Sequence, residues 1–315
     1  MTGYALRRVL STVPVFIFVA LFVFFLLRIT PGDPAIMIAG DQATSAQIET
    51  IRDQLGLNRP LVDQLLAWAG QLLRGDLGRS VFSDIPVSRL IGQRLEPTAM
   101  LALVAIVFAI AIALPLGTLA AVRAGGIADR TVMAFAVLGF SSPVFVIAFL
   151  LVYVFALTLG WFPTQGYVPL SQGTLACLHS LILPGVALAL LYASLLARVT
   201  RASLLEVLSE DYIRTANAKG LMPARITIRH ALSNAAVPIV TVVGIGMAAL
   251  LGGVVVTETV FNIPGVARFL VEAIRWRDYP IVQNLVMFIA VVVVVVNFIV
   301  DMTYVVLDPR IKFEE

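Results

Sequence analysis

The residues of this 315-residue chain that could serve as acids, nucleophiles or ligands are few and poorly spaced for that work. It has two histidines, His179 and His230, and one cysteine, Cys177. With so few, an HExxH zinc site, a histidine-rich metal site, a multi-cysteine metal site and an intrachain disulfide are all excluded. Cys177 reads as a small buried apolar side chain. Gly139-Phe140-Ser141-Ser142 places a serine pair in an apolar stretch, but no histidine lies inside another such stretch to activate it. Standing before Pro143, those hydroxyls better suit re-satisfying backbone groups freed at a kink. The only lysines, Lys219 and Lys312, follow Ala218 and Ile311, whereas the lysine of a phosphate-binding P-loop follows glycine. The sequence therefore assigns no catalytic residue, no metal ligand and no ATP hydrolysis by that motif.

The chain around these residues is 60% hydrophobic and 13% charged, with a mean hydropathy of +0.97. A soluble chain averages about 45–50% apolar and about 25% charged, so the excess must face lipid or other buried helices. The formal charge of +3 and the pI near 9.2 come without a dense basic run interleaved with aromatics, which argues against nucleic acid. A spanning helix needs about 20 mostly apolar residues. Six stretches qualify, at 9–28, 98–122, 132–159, 181–200, 236–257 and 284–307. The expected fold is an all-α integral membrane protein with six transmembrane helices. The N-terminus and first helix occupy 1–29, a long helical extracytoplasmic loop 30–97, and a core of helices 2–6 residues 98–315. The first apolar run exceeds a signal-peptide core and lacks a small-residue cleavage pattern, so it reads as a retained helix.

Arginine and lysine distribution sets orientation. With the N-terminus inside, Arg7, Arg8, Arg123, Arg130, Arg198, Arg201, Arg214, Lys219, Arg225, Arg229, Arg310 and Lys312 fall in the cytoplasm, and the 160–179 loop outside carries no Lys or Arg. Both termini are then cytoplasmic, and the outer 258–283 loop offsets Arg268, Arg275 and Arg277 with Glu258, Glu272 and Asp278. Within 30–97, Thr44 and Gln47 form a capping box ahead of Ile48, Ile51 and Leu55. Leu61, Leu65, Trp68 and Leu72 mark a second amphipathic helix after Pro60. Pro264 opens another, with Val266, Phe269, Leu270 and Ile274 as its apolar stripe and Trp276 at the membrane boundary. Asp301, with Asn297 one turn earlier, and Glu258 at the outer end of the fifth span are the polar groups whose costly burial makes them candidates for function. Gly244, Ala248 and Gly252 repeat every four residues, a spacing that lets helix backbones approach closely.

The cytoplasmic 201–235 loop reads Glu210-Asp211-Tyr212-Ile213-Arg214-Thr215-Ala216-Asn217-Ala218-Lys219-Gly220-Leu221 at its centre. It holds helix formers, Gly220 to end one helix and Pro223 to begin the next, which makes an ordered hairpin suited to a cytoplasmic partner.

This segment resembles the EAA-type signature of bacterial ABC importer permeases, on which Glu210, Ala216, Gly220 and Pro238 fall, although the Glu-Ala-Ala triplet is replaced by Glu210-Asp211-Tyr212. Pro31-Gly32-Asp33-Pro34, Leu55-Gly56-Leu57, Gly75-Asp76-Leu77-Gly78, Phe261-Asn262-Ile263-Pro264-Gly265, Arg277-Asp278-Tyr279-Pro280 and Asp308-Pro309-Arg310 extend the resemblance to the dipeptide/oligopeptide/nickel family, dipeptide permease B type. The resemblance implies a type I ABC importer permease fold in the bacterial inner membrane. It implies a coupling loop of Glu210, Tyr212, Arg214, Thr215, Ala216, Ala218, Lys219, Gly220 and Leu221 seated on an ATPase. The implied partners are a second homologous permease subunit, two P-loop ATPase subunits that bind ATP and Mg, and an extracytoplasmic substrate-binding protein. No cofactor is expected in this chain. Ser141, Ser142, Thr241 and Gly244 are candidate pathway-lining residues.

Peptide is the expected cargo, with nickel or glutathione as the alternative. A secondary carrier built on Asp301 and Asn297 is a third reading, opposed by the scarcity of buried charge and the lack of matched halves.

Overall fold

The computed structural model describes residues 2–29, 33–39, 43–54 and 56–307. Pro31, Gly32, Leu55, Asp308-Pro309-Arg310 and Lys312 lie outside the described residues, as do the side chains of Arg7, Arg8, Ala248 and Gly252. In chain order the helices are α1 (Thr2–Ile29), α2 (Pro34–Ala39), α3 (Ser45–Gln54), α4 (Leu61–Leu73), α5 (Val87–Val122), α6 (Ile127–Ser141) and α7 (Val144–Leu151). They continue with α8 (Thr174–Leu208), α9 (Asp211–Ala218), α10 (Pro223–Arg225), α11 (Leu232–Asn234), α12 (Ala236–Val260), α13 (Val266–Trp276) and α14 (Tyr279–Leu307). Two π-helical runs, Val152–Thr158 and Ile226–Ala231, extend α7 and link α10 to α11.

Among the described residues four helices are long and apolar enough to cross a membrane: Ser11–Ile29, Val87–Val122, Thr174–Leu208 and Tyr279–Thr303. Two bent pairs bring the number to six when each is counted as one span. One of them falls in the expected 132–159 span, at the kink expected before Pro143. The chain turns by 106° between Ile127–Ser141 and Val144–Thr158. Pro143 supplies no N–H and disfavours helix at the residue before it, and Ser142 there is extended (ψ 129°). Ser142 Oγ donates to the Leu138 carbonyl at 2.7 Å, which occupies a hydroxyl that lipid could not solvate. The second expected span begins earlier than its apolar run, because α5 starts at Val87.

The chain divides into two compact units, one comprising 1–96 with 265–294 and the other 97–264 with 295–315. In the first unit, Leu27, Val87, Leu90, Ile91, Val266, Phe269, Ala273, Ile281, Val282 and Leu285 form the core. The expected capping box is made, with Thr44 N–H donating to Gln47 Oε1 at 2.8 Å and Gln47 N–H to Thr44 Oγ1 at 3.4 Å. Asp33 accepts from the Ala35 N–H at 2.8 Å and from Arg52 Nε at 2.6 Å, so one carboxylate caps α2 and holds α3. Of the stripe expected on α13, Val266 and Phe269 are buried, but Ile274 faces outward and Ala273 takes the inner place. Leu61 of α4 is likewise exposed.

Asp278, read in the sequence as a charge offsetting loop arginines, is instead fully buried. Its Oδ2 accepts from Ser80 Oγ at 2.6 Å and from the Val81 N–H at 3.1 Å. Its Oδ1 accepts from the Ile281 N–H at 3.3 Å, which caps α14. Asn284 Nδ2 donates to the Leu77 and Pro280 carbonyls, each at 2.8 Å. The Gly75–Gly78 turn and the Arg277–Pro280 corner, some two hundred residues apart in the chain, are thereby tied into one junction.

Burial pushes the Asp278 carboxyl above its ordinary value, against the pull of its hydrogen bonds. Asp278→Ala would leave the donors of Ser80, Val81 and Ile281 without that acceptor and should destabilise the first unit by roughly 2–3 kcal/mol. Because the folded-state pKa is raised, ionised Asp278 opposes folding at neutral pH. That opposition fades as the pH falls through the raised value and is gone below about 3.9. The gap in melting temperature between the natural protein and Asp278→Ala should widen on acidification from neutral pH toward about 3.9. A gap that narrows would mean the hydrogen bonds outweigh burial.

Candidate functional site

The hairpin between α8 and α12 is built by local backbone rules and then fastened by a few apolar side chains. Glu210 sits in extended conformation (φ −68°, ψ 149°) at the head of α9, and its carbonyl accepts from the Ile213 N–H at 3.1 Å. Its side chain makes no cap, which leaves the carboxylate outward. At the other end Gly220 adopts φ +75°. Its N–H donates to the Asn217 carbonyl at 2.9 Å, and the Leu221 N–H reaches the Ala216 carbonyl at 3.3 Å. This is the paired-bond helix stop that needs a left-handed residue, which glycine adopts without a Cβ penalty. Pro223 then opens α10, with its missing N–H where a helix start has no use for one.

Only one residue of α9 is buried: Ile213, at 2% exposure. It enters a core with Ala109, Ala113 and Ala121 of α5, Ala189, Ala193, Leu196, Ala197 and Leu204 of α8, and Ile226, Ala231, Ala235 and Ile239 on the return. Ala216 and Leu221 pack on the same cluster. Among the expected coupling residues, Glu210, Tyr212, Arg214, Thr215, Ala218, Lys219 and Gly220 stay exposed, Tyr212 at 44%. Met222 adds an apolar side chain, 73% exposed, to the outer surface. The structure thus gathers the expected residues on one hairpin, with Ala216 and Leu221 on its inner side. Ile213 was not singled out from sequence. The available signal was its being the sole large aliphatic residue of the eight-residue helix.

Asp129 was also missed, and Arg201 was read only as a topological cation. Arg201 Nε donates to Asp129 Oδ1 at 2.5 Å and its NH2 group to Oδ2 at 2.7 Å, while the Gly125 N–H donates to Oδ2 at 2.9 Å. This forked pair joins the first turn of α6 to α8 just before the hairpin.

The candidate pathway residues have separate local surroundings. Ser141 is exposed at the α6 end, Ser142 closes on Leu138, and Thr241 Oγ1 donates to the Val237 carbonyl at 2.8 Å. Gly244 is buried, and a Cβ placed there would run into the Val300 side chain of α14. Glu258 is fully buried and accepts from Thr98 Oγ1 at 2.5 Å. Asp301 is half-buried in α14. Among the described residues no group of three or more His, Cys, Asp or Glu could hold a metal ion.

Residues 113–313 match the family described as binding-protein-dependent transport system inner membrane component, and residues 1–102 match the N-terminal family of such membrane components. The chain is 49% identical over 310 residues to the "Probable peptide ABC transporter permease protein y4tP" of Sinorhizobium fredii, covering 98% of this chain and 99% of that one. It is 38% identical over 314 residues to the glutathione transport system permease protein GsiC of Escherichia coli, with both chains covered in full. Among solved structures it is similar to the inward-facing MetNI methionine ABC transporter, with a TM-score of 0.58 and 20% identity over 70% of this chain and 97% of that one. That likeness concerns the fold.

Ile213→Ala should loosen the hairpin by about 2–5 kcal/mol. Backbone hydrogen exchange should rise across Asp211–Ala218, while α8 upstream of Leu196 stays protected. Unchanged protection in α9 would show that the hairpin is held by something other than this side chain.

Proposed function

The chain belongs to the family of binding-protein-dependent transport system inner membrane components and is a permease component of an ABC importer, and we propose that its cargo is a peptide. The full-length relative at 49% identity, named for peptide transport, supports this cargo. The GsiC relative favours glutathione, itself a short peptide derivative, as the second reading.

In this reading the chain is a non-catalytic subunit. It pairs with a second, related permease, receives cargo from an extracytoplasmic binding protein, and takes its energy from two ATPase subunits that bind ATP and magnesium. Both termini lie in the cytoplasm. The observation that carries the coupling role is the hairpin: a short helix anchored by Ile213 on one side, with Glu210, Tyr212, Arg214, Thr215, Ala218, Lys219 and Gly220 outward and available to a partner. Ala216 and Leu221 complete the coupling loop from its inner side. Closure of the ATPases against this loop would move the membrane helices between inward-open and outward-open arrangements. Ser141, Ser142, Thr241 and Gly244 stay as candidates for the pathway, with Gly244 serving helix packing as well.

Gly220→Val tests the coupling role. The site has open space around a Cβ, so the change meets no clash. At φ +75° it nevertheless carries a penalty of roughly 1–2 kcal/mol or more for a branched residue, enough to redirect the loop. Peptide uptake into membrane vesicles should fall at least tenfold, while insertion and complex assembly persist. Normal uptake by the variant would remove the hairpin from the coupling path. A mild-detergent purification of the tagged chain should also bring down P-loop ATPases and a second permease. Recovery of the chain alone, across several detergents, would overturn the assembly.

A further inference from the structure

A polar cavity of about 290 Å³ lies inside the first unit, walled by the end of α1, by α4, by the Gly75–Gly78 turn and by the start of α14. Three buried polar atoms on its lining side chains find no hydrogen-bond partner among the described residues: Trp68 Nε1, Gln283 Nε2 and Asn284 Oδ1. Gln283 and Asn284 are 5% and 4% exposed. Buried groups of this kind are almost always satisfied in a folded protein, so three on one cavity call for an occupant.

The neighbours define what that occupant must offer. Asn284 Nδ2 is already committed to two carbonyls, which fixes its amide with Oδ1 as the open acceptor. Arg28 and Gln64 are committed to each other, with Arg28 NH1 also on the Phe24 carbonyl. Trp68 and Gln283 are therefore left as donors. The charged lining groups are Arg28, Arg59, Arg277, Asp53 and Asp76, an excess of one positive charge. Asp53 accepts from Asn58 Nδ2 at 2.6 Å and Asp76 from the Gly78 N–H at 2.9 Å, so each aspartate already has a donor. The cavity asks for a ligand with two acceptor positions, one N–H and a negative charge.

We propose that this cavity binds the C-terminal residue of a short peptide, its carboxylate accepting from Trp68 and Gln283 and its amide N–H donating to Asn284. The volume falls at or just below the small end of ligand cavities, which run from about 300 to about 1,000 Å³, and so suits one end of a peptide rather than the whole. The assignment rests on the peptide-importer reading for the source of its ligand. On the proposed topology this site faces the side from which cargo arrives.

The test is equilibrium binding of radiolabelled dialanine to the full chain in lipid nanodiscs, with peptide uptake by the complete importer measured in parallel. Dialanine should bind at a single saturable site, and its C-terminal amide at least tenfold more weakly. Acetate should compete at least tenfold more weakly than dialanine, because it lacks the N–H that Asn284 accepts. Trp68→Phe keeps the ring that stacks on Phe24, at 6.1 Å between centroids, and removes only the donor. It should weaken dialanine about tenfold, as should Gln283→Leu. Equal binding of dialanine and its amide, or unaltered binding by Trp68→Phe, would overturn the assignment. Acetate competing as well as dialanine would also overturn it, because the cavity would then be a general carboxylate socket of the kind a docked protein's acidic side chain could fill. Site-specific binding without peptide uptake would leave the cavity assignment standing and remove the importer reading. Uptake without such binding would do the reverse.

Discussion

The second unit depends on how closely its helices can approach α8. A Cβ at Gly117 of α5 would lie 2.6 Å from the Ala197 carbonyl of α8, and one at Gly139 of α6 would collide with Ser194. From α8 outward, a Cβ at Gly185 would meet Val104 of α5 at 2.6 Å, and a Cβ at Gly253 of α12 would lie 2.9 Å from Leu188. Between membrane helices, where lipid is as apolar as any side chain, such contacts supply the attraction that burial supplies in water. The alanines of the core around Ile213 belong to the same pattern. Larger residues at these places would push the helices apart and take away the floor on which the hairpin rests.

The first unit uses a different device. A carboxylate with no cation bonded to it among the described residues, Asp278, is held by a hydroxyl and backbone N–H groups brought from distant parts of the chain. Such a group is expensive to bury and specific once buried, because few arrangements satisfy it. It secures the helix start from which Gln283 and Asn284 project. The polar cavity and the junction are therefore parts of one arrangement, and the left-handed Arg277 (φ 55°) is the turn that makes both fit.

Much of this was legible in the sequence because it is local. The capping box at Thr44, the helix after Pro264, the stop at Gly220 and the close-packing glycine at 244 follow from residue chemistry over a few positions. What pairs across distance was not legible. Nothing near Asp278 in the chain points to Ser80, and nothing near Asp129 points to Arg201; each aspartate reads as an ordinary loop or helix-start charge. Periodicity named the face of α13 but could not say that Ile274 would be left uncovered. A proline after two serines marked a kink at Ser141–Pro143, while the 106° size of the bend depends on where the following helix packs. At the hairpin, the outward residues were named from resemblance, and the inward anchor Ile213 came only from seeing what α9 covers.

The anchoring of α9 has a mechanical consequence. A short rod held by one isoleucine in a close-packed bed has little slack: load applied along its outer side is delivered as compression into α5 and α8. Alanine-lined contacts of this kind are nearly incompressible, so the displacement is not absorbed at the point of entry. The forked Arg201–Asp129 pair joins α8 to α6 and would pass part of that load to α6 as a tension member. The hairpin is thus suited to act as a stiff pushrod rather than a spring, and the 106° break beyond α6 is where the transmitted stroke would change direction.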